Sequence, residues 1–360
     1  IDTGVEADPA YRAYVMDSVR PARWHPERPG RWVAEREWPS PSIRTKEIAL
    51  MADGGEPAIV ASPQSCGLAG GEYFPFTFGP ELPGDQRPDD ALSVCFDQPP
   101  LTEAIDIVGA PEVLVQLASD RRQANIAIRL CDVHPDGASE LISYGVLNLT
   151  HRNSHEFPEA LVPGESISAR VVLDQCAYRV PSGHRLRVAV SNAYWPLIWP
   201  SPEPVRLDLS AATLRLPLRP PAKGDDVAFA EPEGASPWAT ETVRAANSER
   251  HVARDEKTGI VTLSIIDDFG EVRDLDHGLA NGSVARETWT IDPDDPLSAS
   301  GKTHWTQTLS RNGWSVRTET SAEMKSDAQN FIVSARIEAY EGETLVFERN
   351  FEEKVPRALL

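Results

Sequence analysis

Three segments in the stretch from Leu92 to Trp199 decide the fold, because each places apolar residues at every second position: Ile126–Val133 (IAIRLCDV), Ser166–Leu173 (SISARVVL) and His184–Ser191 (HRLRVAVS). A period of two is that of a β-strand with one face on a core. The predicted core-facing sets are Ile126, Ile128 and Leu130 in the first segment and Leu186, Val188 and Val190 in the last. Turns rich in Pro and Gly separate the segments, at His134–Gly137, Val162–Gly164 and Pro181–Gly183. The sequence therefore predicts an all-β fold built as a sandwich or barrel.

Length and charge limit the classes of protein to which the chain can belong. Its 360 residues suffice for two domains, each with its own core. The chain has 55 acidic and 35 basic residues and a net charge of −20, which repels phosphate backbones and anionic membranes. No apolar run approaches the ~20 residues needed to cross a bilayer. We therefore expect a soluble globular protein with no nucleic-acid or membrane partner.

The cysteines indicate the redox compartment. Cys66, Cys95, Cys131 and Cys176 are far apart and show no C-x-x-C spacing. Three of them lie in or beside apolar strand-like segments, where a free cysteine packs as a small hydrophobic residue. We expect unpaired thiols, which favours a reducing, cytoplasmic location.

Strand-like segments outside the central stretch indicate how the chain is divided. Tyr11–Met16 and Thr45–Met51 precede it, and Val205–Leu218 supplies one or two strands after it. Residues 219–226 have the composition of a linker. Beyond the linker, hairpin signals at Asn312-Gly313 and Glu341-Gly342 join further strand-like segments: Val261–Ile266, Arg286–Ile291, Thr303–Leu309, Trp314–Thr320, Phe331–Tyr340 and Thr344–Phe351. These segments predict a second antiparallel β domain at 227–360.

A loop of about thirty residues, 61–90, has no strand or helix periodicity, and loops of that length in compact domains are more often functional than not. Aromatic residues are concentrated between Gly67 and Phe78. The alternative interpretation is an Ω-loop packed by its own phenylalanines.

Motifs for chemistry are absent or weak. The chain lacks G-x-S-x-G, so it lacks the nucleophile elbow of an α/β-hydrolase. His151 and His155 would need a helix to converge on a metal, and Asp292–Pro296 lacks the spaced ligands of a calcium loop. His184 is expected to be a hydrogen-bonded structural histidine. We predict no catalytic residue, metal or cofactor in this chain.

Several motifs, in order, resemble one known family. They are Asp85–Asp90 (DQRPDD), Leu101–Gly109, Arg129–Gly137 (RLCDVHPDG), Gly145–Leu149 (GVLNL), Pro163-Gly164 and Gly183–Arg187 (GHRLR). Together they resemble the C-terminal jelly-roll domain of the CocE/NonD hydrolases, which are cocaine-esterase-like serine hydrolases related to X-Pro dipeptidyl peptidases. The resemblance covers roughly residues 10–218, and residues 227–360 look like the extra C-terminal region of long NonD-type members.

The resemblance implies a jelly-roll β-sandwich (galactose-binding-like) at 45–218. It also implies that residues 1–44, with the first strand, are the junction from an α/β-hydrolase catalytic domain, and the start at Ile1 suggests a piece of a longer protein. In that family the Ser–His–Asp triad lies in the catalytic domain, so this piece alone would be inactive and the complete protein would cleave ester or peptide bonds.

By the same resemblance, the loop Gly67–Phe78 would reach over the catalytic domain and line the acyl pocket for a small acyl or peptide substrate. The residues that would line it are Leu68, Tyr73, Phe74 and Phe76. The alternative is a self-sufficient carbohydrate-binding module, with Tyr194, Trp195 and Trp199 as a sugar-stacking platform. Exposed strand edges also favour association into homo-oligomers.

Overall fold

The computed structural model describes residue 4, residues 7–51, 55–76 and 78–222, residues 225, 227, 229 and 231, and residues 233–360. Its first two sheets form the predicted jelly-roll sandwich, and their strands are β1 Tyr11–Asp17, β2 Gly30–Glu35, β3 Arg44–Ala49, β4 Ala58–Val60, β5 Val94–Asp97, β6 Ile105–Gly109, β7 Glu112–Ser119, β8 Asn125–Val133, β9 Ser139–Asn148, β10 Ser166–Val172, β11 Cys176–Val180, β12 Arg185–Ser191 and β13 Leu207–Arg219. The larger sheet has the order β10-β7-β13-β6-β11-β1-β2, and β3 and β4 also pair with β13. The smaller sheet has the order β5-β12-β8-β9. The described residues contain one α-helical turn, α1 Arg87–Asp90.

The core of the sandwich lies between these sheets, and the predicted alternation places side chains into it. Both predicted core-facing sets are buried, on the neighbouring strands β8 and β12: Ile126, Ile128, Leu130, Leu186, Val188 and Val190. The outward residues Arg129 and Cys131 of β8 are buried as well, because the segment around α1 covers the outer face of the smaller sheet. Strand β8 is therefore covered on both faces and lies at the centre of the fold.

The third sheet is a meander of long antiparallel strands: β14 Thr240–Arg244, β15 Asn247–Arg254, β16 Val261–Asp274, β17 Ala280–Asp292, β18 Asp295–Arg311, β19 Trp314–Ser326, β20 Asn330–Glu341 and β21 Thr344–Pro356. Its order is β14-β16-β17-β18-β19-β20-β21, with β15 also paired to β16. The predicted hairpin turns are confirmed, and Asn312 and Gly313 have φ of 50° and 81° between β18 and β19. The all-β fold predicted from the alternation is thereby confirmed across the described residues.

The meander packs on the sandwich through indole rings. Trp195 lies edge-on to Trp289 at 6.0 Å, and Trp199 lies edge-on to Phe331 at 6.4 Å. The C-terminal end returns to the sandwich, where the carbonyl of Leu359 accepts hydrogen bonds from Asn148 (2.7 Å) and Thr150 (2.9 Å). The two β units therefore share a packed interface.

The first strands belong to the larger sheet. β1 pairs in parallel with β11, and β2, which the Pro- and Trp-rich sequence concealed, pairs antiparallel with β1. The predicted linker includes residues 223, 224 and 226, which lie outside the described residues; Arg219 within it binds Asp225 at 2.6 Å. The domain boundaries remain predictions. None of the described helices is long and apolar enough to cross a membrane.

Candidate functional site

The aromatic loop, Gly67–Phe78, is the most exposed apolar feature of the sandwich; its Thr77 lies outside the described residues. Tyr73, Phe74 and Phe76, called here the aromatic trio, are 79%, 68% and 71% exposed. The rings of Phe74 and Phe76 meet edge to face at 5.3 Å. Aromatic side chains on the surface of a monomer to this extent indicate a surface that contacts something else.

Two glycines shape the root of the loop. Gly67 has φ of +118°, and a Cβ there would lie 2.6 Å from the backbone nitrogen of Trp195. Gly71 has φ of +79°, and a Cβ there would lie 2.7 Å from the carbonyl oxygen of Glu81. Both positions combine a left-handed backbone with a close approach, so side chains are excluded at both.

The DQRPDD segment holds this root. The carboxylate of Asp89 accepts hydrogen bonds from the backbone N–H groups of Gly67 (3.0 Å) and Ala69 (2.9 Å). Gln86 donates to the carbonyls of Ala69 (2.8 Å) and Gly84 (2.7 Å). The loop therefore projects from a base held by several hydrogen bonds, which reduces the entropy lost when its tip contacts a partner.

Arg129 supports this base from the core. Its guanidinium, 1% exposed, lies 3.0 Å from Asp90 Oδ1 and donates to Gln86 Oε1 at 3.0 Å. Burial raises the pKa of Asp89, whereas the charge of Arg129 and the hydrogen bonds from Gly67 and Ala69 oppose that rise. Such a buried charge cluster is stable only while every member keeps its partners.

The outer part of the loop contacts the meander. Glu72 forms an ion pair with Arg250 on β15. Phe78 stacks on Phe269 of β16 with centroids 5.0 Å apart, and Phe269 stacks on Trp305 of β18 at 6.1 Å. The loop is therefore attached at both ends, and the trio lies between these attachments.

Leu68 is separated in role from the other predicted pocket residues. Its half-buried side chain packs, as those of Trp199 and Trp289 do, against the buried cluster around Trp195. The structure exposes the aromatic trio and half-buries Leu68. Pocket lining by any of the four stays a prediction.

Sequence reasoning missed a polar cluster beneath the N-terminal segment. Asp132, His134 and His184 bring three potential metal-ligand atoms within 4.8 Å of one another. Asp132 already lies 2.8 Å from His184 Nδ1 and accepts hydrogen bonds from Ser18 (2.6 Å) and Tyr178 (3.0 Å). These bonds engage both carboxylate oxygens, so the cluster joins the N-terminal segment to the sandwich. His184 is hydrogen-bonded, as expected.

Ser18 and His134 do not form a nucleophile and base. Their closest side-chain atoms are 3.5 Å apart, and the Ser18 hydroxyl donates to Asp132 at 2.6 Å. In a Ser–His–Asp triad the histidine lies between hydroxyl and carboxylate. Here the carboxylate contacts the serine directly, so His134 has no serine proton to accept.

The sugar-stacking interpretation is wrong for two of its three residues. Tyr194 and Trp195 are fully buried, because the chain around Cys66 covers them and the Trp195 backbone N–H donates to the Cys66 carbonyl at 2.7 Å. A buried ring cannot stack on a carbohydrate. The four cysteines are unpaired, as expected, and Cys66 and Cys131 are buried.

The described part of the chain contains a β-sandwich that presents a rigidly held aromatic loop at its surface. The chain belongs to the family of X-Pro dipeptidyl-peptidase C-terminal non-catalytic domains, whose sequence profile matches residues 3–240. This match confirms the resemblance seen in the sequence motifs.

Cocaine esterase of Rhodococcus sp. (strain MB1 Bresler) is 26% identical over 125 residues, which are 34% of this chain and 21% of the esterase. A putative serine esterase of Mycobacterium bovis is 22% identical over 231 residues, 53% of this chain and 33% of that protein. The crystal structure of a CocE/NonD family hydrolase from Staphylococcus aureus aligns with 61% of this chain and 43% of its own, at 11% identity and a TM-score of 0.44. The chain thus spans a third or less of the length of these curated relatives.

Proposed function

We propose that this chain is the C-terminal accessory part of a CocE/NonD-type serine hydrolase and that its aromatic trio lines the acyl pocket of the α/β-hydrolase catalytic domain. A non-catalytic C-terminal domain implies a catalytic domain in the same protein. The observation that supports pocket lining is the exposure of Tyr73, Phe74 and Phe76 on a loop whose base is rigidly hydrogen-bonded.

The size of the exposed surface supports this function. Each aromatic side chain can bury 150–250 Å², so covering the trio would remove roughly 400 Å² from water. At about 25 cal/mol per Å², this is on the order of 10 kcal/mol before the costs of association. Covering three rings on one loop would therefore favour a domain contact and would keep water away from an apolar acyl group.

The proposed substrates are esters, amides or X-Pro peptides whose acyl side is apolar, since an aromatic wall provides no charged partner. Chemistry would come from the serine of the catalytic domain, with His as base and an oxyanion hole for the intermediate. Four unpaired thiols support a cytoplasmic location as part of this proposal.

The test uses the full-length protein and a series of p-nitrophenyl esters with acyl groups from acetyl to benzoyl. Phe74→Ala should lower kcat/KM for the benzoyl ester about tenfold, roughly the effect of losing part of an apolar pocket. The same variant should leave kcat/KM for the acetyl ester within about twofold of the unmodified protein, because a short acyl group does not reach the aromatic trio.

Phe157→Ala is the matched control, since Phe157 is 69% exposed but lies in another loop of the sandwich. It should behave as the unmodified protein. Equal losses for all esters, or for both variants, would contradict pocket lining. Hydrolysis by the 360-residue chain alone that resists serine-directed inhibitors would contradict the accessory role.

A further inference from the structure

The two faces of the meander differ in chemistry. Residues paired across strands share a face, and the rows containing Lys302, Glu323, Arg336 and Glu348 form a polar face with cross-strand ion pairs. The opposite rows form a face that is mainly apolar, although Arg349 and Glu353 also lie on it and Arg349 stacks over Phe351 at 4.6 Å. Its large apolar side chains are Trp289, Trp305, Val316, Met324, Phe331, Val333, Ile337, Phe347 and Phe351. A sheet that is apolar on one face is stable when that face is covered by another layer.

The aromatic loop reaches Phe269 on the apolar face, and the rest of the sandwich covers one end of that face. There Trp289 and Phe331 meet Trp195 and Trp199, and Ile291 is fully buried beside them. At the other end of the face, Phe347 is 51% exposed and Phe351 is 42% exposed. The bare part of the face therefore continues directly from an interface that is already formed.

The bare part lies on the same side of the molecule as the aromatic loop. Phe78 at the end of the loop stacks on Phe269, and Phe269 stacks on Trp305 of the apolar face. The ion pair between Glu72 and Arg250 holds the other end of the exposed loop tip against the meander. A body that covers the aromatic trio is therefore positioned to cover Trp305 and its neighbours as well.

We propose that the exposed part of this face, at Phe347 and Phe351 on β21 beside the half-buried Trp305 and Ile337, is a second docking surface for the catalytic domain of the same protein. The proposal rests on the proposed function, which places that domain at the aromatic trio. The competing occupant, a second copy of the chain, would bring two bodies of charge −20 together, and their repulsion opposes that contact. The meander would then act as a clamp that holds the catalytic domain against the sandwich.

The test measures maleimide labelling of single introduced cysteines at pH 7, in the 360-residue chain and in the full-length protein. The native cysteines of the 360-residue chain give a low background, because burial raises the pKa of Cys95 to about 11 and that of Cys176 to about 12. The background of the full-length protein is measured on that protein without an introduced cysteine and subtracted. The F347C variant should react about tenfold more slowly in the full-length protein, since a docked residue reacts only when the interface opens. The I332C variant is the control, because Ile332 is 43% exposed on the polar face. It should react equally in both proteins.

Equal rates for F347C in both proteins would overturn the proposal. Slow labelling of F347C in the isolated chain that becomes fast on dilution would show a second copy on this face and would also overturn it. An F74C variant separates pocket lining by the aromatic trio from docking on the meander. In the full-length protein, fast labelling of F74C together with slow labelling of F347C would refute pocket lining and would still support the docking surface.

Discussion

The carboxylate of Asp89 should stabilise the aromatic loop far more than that of Asp85, although both residues belong to the same short motif. Asp89→Ala removes the acceptor of the Gly67 and Ala69 N–H groups and leaves both donors buried. A hydrogen bond to a charged group contributes roughly 1.5–3 kcal/mol, so the two contribute about 3–6 kcal/mol. Burial of the Asp89 carboxylate is the main cause of its raised pKa, and removing the carboxylate recovers this cost of burial. We therefore expect the loop to lose about 3 kcal/mol of stability in total.

The measurement is hydrogen–deuterium exchange of peptides from residues 64–76 in the 360-residue chain. A loss of about 3 kcal/mol corresponds to roughly a hundredfold increase in local opening. Asp85→Ala is the control, because its partner Arg87 is largely exposed and a surface pair contributes at most about 1 kcal/mol. If Asp89→Ala increased exchange no more than Asp85→Ala, the account of a loop held by its base would be wrong.

Two further predictions concern pH. Burial raises the pKa of the Cys131 thiol to about 12, whereas an unfolded thiol has a pKa of about 8.5. At about pH 8, iodoacetamide should therefore label Cys131 in the native chain at least roughly a hundredfold more slowly than in the urea-unfolded chain. Fast labelling of Cys131 in the native chain would contradict this. Hydrogen bonds from Arg187, at 2.6 and 2.8 Å, lower the pKa of Asp97, so its stabilising contribution is present above the unfolded value of about 3.9 and is lost as pH falls below it. Asp97→Asn should therefore reduce the fall in urea midpoint between about pH 5 and pH 3, and an unchanged fall would argue against the assignment.

Some elements were predictable because their pattern is local. Alternation over eight residues identified the strands around Ile128 and Val188, and Asn312-Gly313 identified a hairpin from two residues. β7 carried the same pattern in Val113, Val115 and Leu117, so its alternation could have been recognised. β2 could not be found in this way, because prolines and tryptophans around it interrupt the local pattern. Its stability comes from pairing with β1, which no local pattern shows.

The candidate site was predictable only in part. The density of aromatic residues identified the loop, and family motifs suggested its role, but neither separated Leu68 from the trio. That separation depends on which side chains meet the indoles of the meander. The cluster of Asp132, His134 and His184 was hidden for a similar reason, because His184 is some fifty residues away from its partners in the chain and meets them through the pairing of β8 with β12.

The sequence by itself determined the all-β class, the positions of most strands, the presence of a long aromatic loop and the family, since each is encoded in neighbouring residues or in an ordered set of motifs. Only the tertiary structure decided that Asp89 holds the loop, that its aromatic trio is exposed, that Trp195 is buried and that Phe347 and Phe351 of the meander are exposed. These features depend on distances between segments far apart in the chain, which strand register and sheet packing set and no local pattern contains.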